Sequence, residues 1–208
     1  MNSKKLNSEH YFTKHPSSKL KLYKITGTFL SKSFNFFTST GVFSYKKVDK
    51  GTSLLLNSII LPKNKKIKIL DLGCGYGIIG IVLASLLPES HITMIDINSR
   101  AIWLSKKNIT INNLKNIEVK YGDFLQVINN NFDLILTNPP ISLGKSILFK
   151  LFRKSYEVLN NGGTLQLVIK TKQGAKSTYN ELKQIFGENN VKLLKIKSGY
   201  RVYQAHKI

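Results

Sequence analysis

The rhythm of hydrophobic and polar positions changes once along the chain, near residue 67. Before that point the signals are short. Residues 1–18 end in His15-Pro16-Ser17-Ser18 and read as an irregular arm. Two β-like runs, 21–26 and 28–34, lie either side of Gly27 and predict a hairpin. Asp49 is placed to cap a helix running to about residue 59, with Leu54, Leu55, Leu56 and Ile59 as its apolar side. Pro62-Lys63-Asn64-Lys65-Lys66 is a loop.

From residue 67, apolar runs of strand length alternate with helical stretches. Strands are expected at 67–72, 91–95, 117–120, 132–137, 164–170, 191–197 and 200–206, and helices at 78–87, 99–112, 145–159 and 175–186. The first five strands are nearly all apolar and separated by helices, the pattern of a parallel sheet covered on both faces. The last two flank Ser198-Gly199 and predict a closing antiparallel hairpin. The expected fold is α/β: a doubly wound, seven-stranded, mostly parallel sheet with a C-terminal antiparallel hairpin and a small N-terminal β-hairpin extension. Residues 1–48 form the arm and hairpin and 49–208 the core. No internal repeat or low-complexity linker divides them.

Composition narrows the classes. The 208 residues are 42% hydrophobic and 21% charged, enough for one packed domain and an appendage. A single Cys excludes an internal disulfide and a Cys-built zinc site, and the four His are scattered, so no metal centre is expected. The longest apolar run, 78–87, is broken by Gly80 and too short to span a membrane. The first seven residues lack the apolar stretch of a secretory signal, so a soluble cytoplasmic protein is expected.

Charge points to a partner. Lys and Arg number 32 against 11 acids, a net +21 that implies an anionic partner, most simply a polyphosphate chain. No amphipathic anchor with a basic face supports a membrane instead. The charge is concentrated: residues 1–66 carry 13 Lys and two acids, together with nine of the 21 aromatic residues, including Tyr11, Phe12, Phe34, Phe36, Phe37 and Phe43. Lysines among aromatics suit an RNA surface, although most of these rings are expected to form the hairpin's own small core.

The chemistry gathers at strand ends. The first core strand runs into Asp71-Leu72-Gly73-Cys74-Gly75-Tyr76-Gly77, where glycines let the chain turn tightly and let a ligand approach the following helix. Gly75 to Gly80 also satisfies G-x-G-x-x-G, so a dinucleotide site must be weighed. Asp96, ending the second strand, fits either reading because both use an acid on ribose hydroxyls. Two features separate them. Asp71 beside the glycines suits a ligand with an ammonium group and would repel a pyrophosphate. A dinucleotide oxidoreductase also has no use for Asn138-Pro139-Pro140 after the fourth strand. Cys74 is read as a small loop residue, and Lys150, Arg153 and Lys154 as a solvated helix face.

Asp71 to Gly77, Asp96, Asp123 and Asn138-Pro139-Pro140 together resemble the class I S-adenosylmethionine-dependent methyltransferases, which have a Rossmann-like fold. The chain is similar in particular to the "methyltransferase small" family, which includes the small-subunit ribosomal RNA guanine-N2 methyltransferases. That resemblance extends to Gly41-Val42-Phe43-Ser44 with the segment 48–55, and to Ser198-Gly199-Tyr200. It implies S-adenosylmethionine as cofactor, with Asp71, Gly73, Gly75 and Gly77 about its methionine part, Asp96 on the ribose, and Asp123 and Phe124 at the adenine. It implies catalysis by Asn138, Pro139 and Pro140. The Asn138 oxygen and Pro139 carbonyl would accept the N–H bonds of an exocyclic amine and steer its lone pair. The position after the prolines, often aromatic in relatives, is Ile141 here, which would give the base apolar contact without a stack, so Phe43 is the candidate to stack on it and Lys145 to meet phosphate. The implied activity is methyl transfer to guanine N2 in small-subunit ribosomal RNA. The alternatives are a methyltransferase of transfer RNA or protein, a non-catalytic RNA-binding assembly factor and, most distantly, the oxidoreductase.

Overall fold

The computed structural model describes residues 14–64, 66–124 and 131–208. Tyr11 and Phe12 lie outside them. The chain opens with β1 (Leu22–Phe29) and β2 (Lys32–Ser39), an antiparallel pair in which Ile25 faces Phe36 and Gly27 faces Phe34. The expected hairpin is therefore present, but it does not turn at Gly27. Leu30 and Ser31 make the turn, both at positive φ (47° and 66°), the two-residue geometry whose twist matches that of the strands. Gly27 is needed inside β1 for space: a Cβ there would lie 2.6 Å from the Phe29 ring.

Helix α1 (Lys50–Leu56) starts where expected, with the Asp49 carboxylate accepting the Thr52 N–H at 2.9 Å. It is shorter than the sequence suggests and ends at Asn57, whose Nδ2 folds back onto the Ser53 carbonyl.

The core then follows in the expected order: β3 (Lys68–Leu72), α2 (Ile78–Leu86), β4 (His91–Asp96), α3 (Ser99–Ile111), β5 (Ile117–Tyr121), β6 (Phe132–Thr137), α4 (Lys145–Val158), β7 (Leu159–Lys170), α5 (Ala175–Phe186), β8 (Val191–Lys197) and β9 (Tyr200–His206). Strand β7 begins earlier than expected, because Leu159 already pairs with Phe132 before the irregular stretch at 160–163. The seven strands lie in the order β5-β4-β3-β6-β7-β9-β8. The first five are parallel, and β9 and β8 close the sheet antiparallel.

Side-chain alternation along the strands divides the interior into two clusters. Ile69, Ile92, Met94, Leu134 and Leu136 pack with α1, α2 and α3, and Leu70, Leu72, Ile95, Ile135 and Leu165 pack with α4 and α5. The N-terminal hairpin joins the first cluster through Phe29, Phe34 and Phe36, and the Phe36 ring meets Tyr76 edge-on with centroids 6.2 Å apart. No helix among the described residues is long and apolar enough to cross a membrane.

Candidate active site

Parallel pairing brings four strand ends together. Leu72 lies beside Ile95 and Thr137, and Asp96 beside Tyr121. The Thr137 hydroxyl donates to the Leu72 carbonyl at 2.8 Å, fixing the end of β6 to the end of β3. Beyond these ends opens a cavity of about 460 Å³, within the roughly 300–1,000 Å³ typical of ligand pockets. It lies where ligands bind in open α/β sheets. Its wall includes Gly73, Gly75, Asp96, Asp123, Phe124, Asn138, Pro140 and Phe43, eight of the residues singled out from the sequence.

The glycine loop is held from several sides. Gly73 and Cys74 donate their N–H groups to the Ile95 carbonyl (2.9 and 3.0 Å), and Gly77 donates to Cys74 (2.9 Å). Gly75 donates to Asp96 Oδ2 at 2.8 Å. The Ser105 hydroxyl donates to the Gly75 carbonyl (2.8 Å) and Asn108 Nδ2 to the Tyr76 carbonyl (2.8 Å). Four loop N–H groups are thus satisfied within the protein, which leaves a poor cradle for a pyrophosphate. The oxidoreductase reading loses its site on that ground. Gly73 and Gly75 have φ of +71° and +57°, and a Cβ on either would enter open space. The loop backbone is therefore bare toward a ligand.

Asp71 sits behind this loop and does not reach the cavity wall. It is 1% exposed, on the same strand face as Ile69, and its Oδ2 accepts the Gly80 N–H at 2.8 Å. A carboxylate thus sits in the first turn of α2, where the helix dipole favours an anion. Its Oδ1 has no partner. Burial pushes its pKa up to about 7, against the lowering effect of the Gly80 hydrogen bond, with the nearby Asp96 raising it further. Gly80 is required for packing, since a Cβ would lie 2.5 Å from Met94. Gly77, the left-handed N-cap of α2, shapes the loop without lining the cavity.

Asp96 does face the cavity. Besides the Gly75 bond, its Oδ1 accepts the Asn98 N–H at 2.8 Å. Burial raises its pKa and these hydrogen bonds oppose the rise. The Cys74 thiol is pushed well up by burial and the two nearby carboxylates, the opposite of an activated nucleophile.

On the far side, Asn138 Nδ2 donates to Asp49 Oδ2 (2.9 Å) and Thr52 Oγ1 (3.0 Å). Asp49 and Thr52 both line the cavity. Sequence reading gave Asp49 only its helix cap and missed Thr52; the signal available was their spacing in 48–55, upstream of the glycine loop. Pro139 is buried and outside the cavity wall. Ile141 also departs from expectation: it packs against the second core cluster, while Ile147 and Leu151 of α4 supply the apolar wall. Lys145, at the start of α4, does not line the cavity. Lys150, about one turn later, does. Its expected companions pair elsewhere, Arg153 with Glu181 and Lys154 with Glu157. Lys14 also reaches the wall, on a segment clamped by Arg100, whose guanidinium donates to the Pro16 and Ser18 carbonyls. Phe43 is 37% exposed at the cavity rim, whereas Phe34 and Phe36 are core residues.

A cavity with a bare glycine loop, the strand-end carboxylate of Asp96, and apolar wall residues that include Ile97 and Phe124 fits a nucleoside ligand. Similarity to known proteins agrees. The family profile of the Methyltransferase small domain matches residues 33–204. The protein YbxB of Bacillus subtilis, described as uncharacterized, is 40% identical over 203 residues, 97% of this chain and 100% of that one. Ribosomal RNA small subunit methyltransferase C of Buchnera aphidicola is 36% identical over 175 residues, 81% of this chain and 51% of that one. The chain thus spans about half the length of that methyltransferase. Among solved structures, the Thermus thermophilus 16S rRNA N2 G1207 methyltransferase (RsmC), in complex with AdoMet and guanosine, superposes with a TM-score of 0.79 at 25% identity, over 93% of this chain and 52% of that one. The chain belongs to the methyltransferase small family and is an S-adenosylmethionine-dependent methyltransferase.

Proposed function

We propose that the chain methylates the exocyclic N2 amine of a guanine in small-subunit ribosomal RNA. The observation that carries this reading is Asn138, at the end of β6, in the wall of the same cavity as Gly73, Gly75 and Asp96. S-adenosylmethionine supplies an electrophilic methyl on a sulfonium. Gly73 and Gly75 would pass beneath its methionine part, with Asp96 at its ribose and Asp123 and Phe124 at its adenine. The name of the ribosomal RNA relative and the guanosine-bound neighbour support the base and the RNA.

The protein's task is positioning. The lone pair of an amine conjugated to a purine is delocalised, so it is a poor nucleophile until its N–H bonds are held out of the ring plane. The Asn138 oxygen, in the cavity wall, accepts one of those bonds, and the two prolines keep the loop backbone stiff. Ile147, Leu151 and Pro140 exclude water from one side of the base, and Phe43 stands at the rim to stack on it. A base can enter only if it leaves its stack. Lys14 and Lys150 in the wall, and the exposed Lys21, Lys24, Lys46 and Lys47, offer phosphate contacts.

Asn138→Ala tests the assignment. Methyl transfer is expected to fall by about 100-fold or more, with cofactor affinity within about twofold of wild type, because Asn138 is placed on the amine. Full transfer in that variant, or loss of cofactor binding, contradicts the role.

A further inference from the structure

Asn138 is held by another element of the fold. Both protons of its Nδ2 are taken by α1, one by Asp49 Oδ2 at 2.9 Å and one by Thr52 Oγ1 at 3.0 Å. The two ends of a carboxamide are nearly the same size, so partners decide which way it points. A turned-over Asn138 would set its oxygen against the Asp49 carboxylate, which accepts and cannot donate. The nitrogen is therefore committed to α1 and the oxygen is the atom offered to the cavity.

Asp49 is itself held. Its Oδ2 also accepts the Thr52 N–H at the start of α1, and its Oδ1 accepts the Tyr200 hydroxyl at 3.5 Å. Tyr200 lies close over this helix start: a Cβ on Gly51 would be 2.8 Å from its ring. Leu55 and Leu56, wholly buried, anchor α1 in the core. A chain of contacts thus runs from β9 through Asp49 to the end of β6.

We infer that Asp49 and Thr52 are positioning residues that lock the Asn138 carboxamide oxygen-first into the cavity and so restrict the reacting group to an N–H donor. An unprotonated ring nitrogen or a carbonyl, which offers only lone pairs, meets an acceptor there and is turned away. The inference rests on the catalytic assignment of Asn138.

The test compares the full chain with Asp49→Ser, Asp49→Asn and Thr52→Val. Ser keeps a cap on α1 but is too short to reach Asn138. Asn restores an oxygen that can accept from both Thr52 and Asn138. The first readout needs no turnover: the side-chain NH2 resonances of Asn138, identified by their loss in Asn138→Ala. They are expected to shift and exchange faster with solvent in Asp49→Ser, and to return toward wild type in Asp49→Asn. The second readout is transfer to small-subunit particles lacking the modification. In Asp49→Ser, kcat is expected to fall about 10- to 100-fold, with KM for the particles and cofactor affinity within about twofold. Asp49→Asn should recover most of the rate, and Thr52→Val should lose about 3- to 10-fold. A folded Asp49→Ser with wild-type kcat, unchanged Asn138 resonances in that variant, or no recovery with Asn overturns the inference. If the resonances behave as stated but the wild-type chain labels no guanine, the substrate assignment fails and the locked amide stands.

Discussion

Asn108 and Phe37 exchange two hydrogen bonds: Asn108 Oδ1 accepts the Phe37 N–H at 2.7 Å, and Asn108 Nδ2 donates to the Phe37 carbonyl at 2.9 Å. The same Nδ2 donates to the Tyr76 carbonyl at 2.8 Å. One wholly buried side chain on α3 therefore ties β2 to the glycine loop. The basic hairpin is built into the scaffold of the cofactor site. Its lysines are thus carried on an element tied to the glycine loop.

Replacing Asn108 with Leu leaves three buried backbone groups without partners, at about 1–3 kcal/mol each. A loss of roughly 3–9 kcal/mol in unfolding free energy is expected by denaturant titration, together with weaker cofactor binding as the loop is released. A loss below about 1 kcal/mol would mean that the hairpin can lift away without disturbing the core.

The glycines of the loop region separate into two kinds. Gly75→Ala places a methyl in open space at the cavity, at positive φ, so the fold should lose only about 1–2 kcal/mol. Cofactor affinity should fall by tenfold or more, because the methyl occupies ligand space. Gly80→Ala drives a Cβ into Met94, so its main effect should be on the thermal midpoint. Paired calorimetry of unfolding and of cofactor binding distinguishes the two; equal effects on both quantities in both variants would refute the division.

Asp71 makes stability depend on pH. Its ordinary pKa is 3.8, and in the fold it rises to about 7. Between those values the folded chain holds a proton that the unfolded chain has released. Stability therefore falls as pH rises through that window, and the loss is complete above about 7. Asp96 shifts in the same direction. Asp71→Asn keeps an oxygen for the Gly80 N–H and cannot ionise. It should be more stable than wild type at pH 8, with the advantage shrinking toward pH 4 in a series of urea titrations. Parallel curves for the two proteins would show that Asp71 is not held as described.

Much of this was legible in the sequence. The seven core strands and the helices between them follow from apolar runs of distinct length. Asp96, Asp123 and Asn138 stand out through the family resemblance, and parallel strands deliver all three to the wall of one cavity. What escaped notice depends on which way a side chain points. Alternation along β3 turns Asp71 under α2, although its position in the motif suggested contact with the ligand. About one turn of α4 decides that Ile147 and Lys150 reach the cavity while Lys145 does not, and Ile141, ahead of that helix, turns to the core. The turn at Leu30-Ser31 was hidden because neither residue commonly takes positive φ, while Gly27 invited the wrong reading. Asp49 lies 89 residues from Asn138, and no local pattern announces that pairing.

Methyl transfer from labelled S-adenosylmethionine to a panel of acceptors tests the central claim most directly. The panel would comprise small-subunit particles, large-subunit particles, transfer RNA and free ribosomal RNA, each lacking the modification, with product nucleosides identified by mass spectrometry. The account expects label in N2-methylguanosine from small-subunit RNA, free or in particles, and loss of that label in Asn138→Ala. Label in another nucleoside, in transfer RNA alone, or in protein would contradict it.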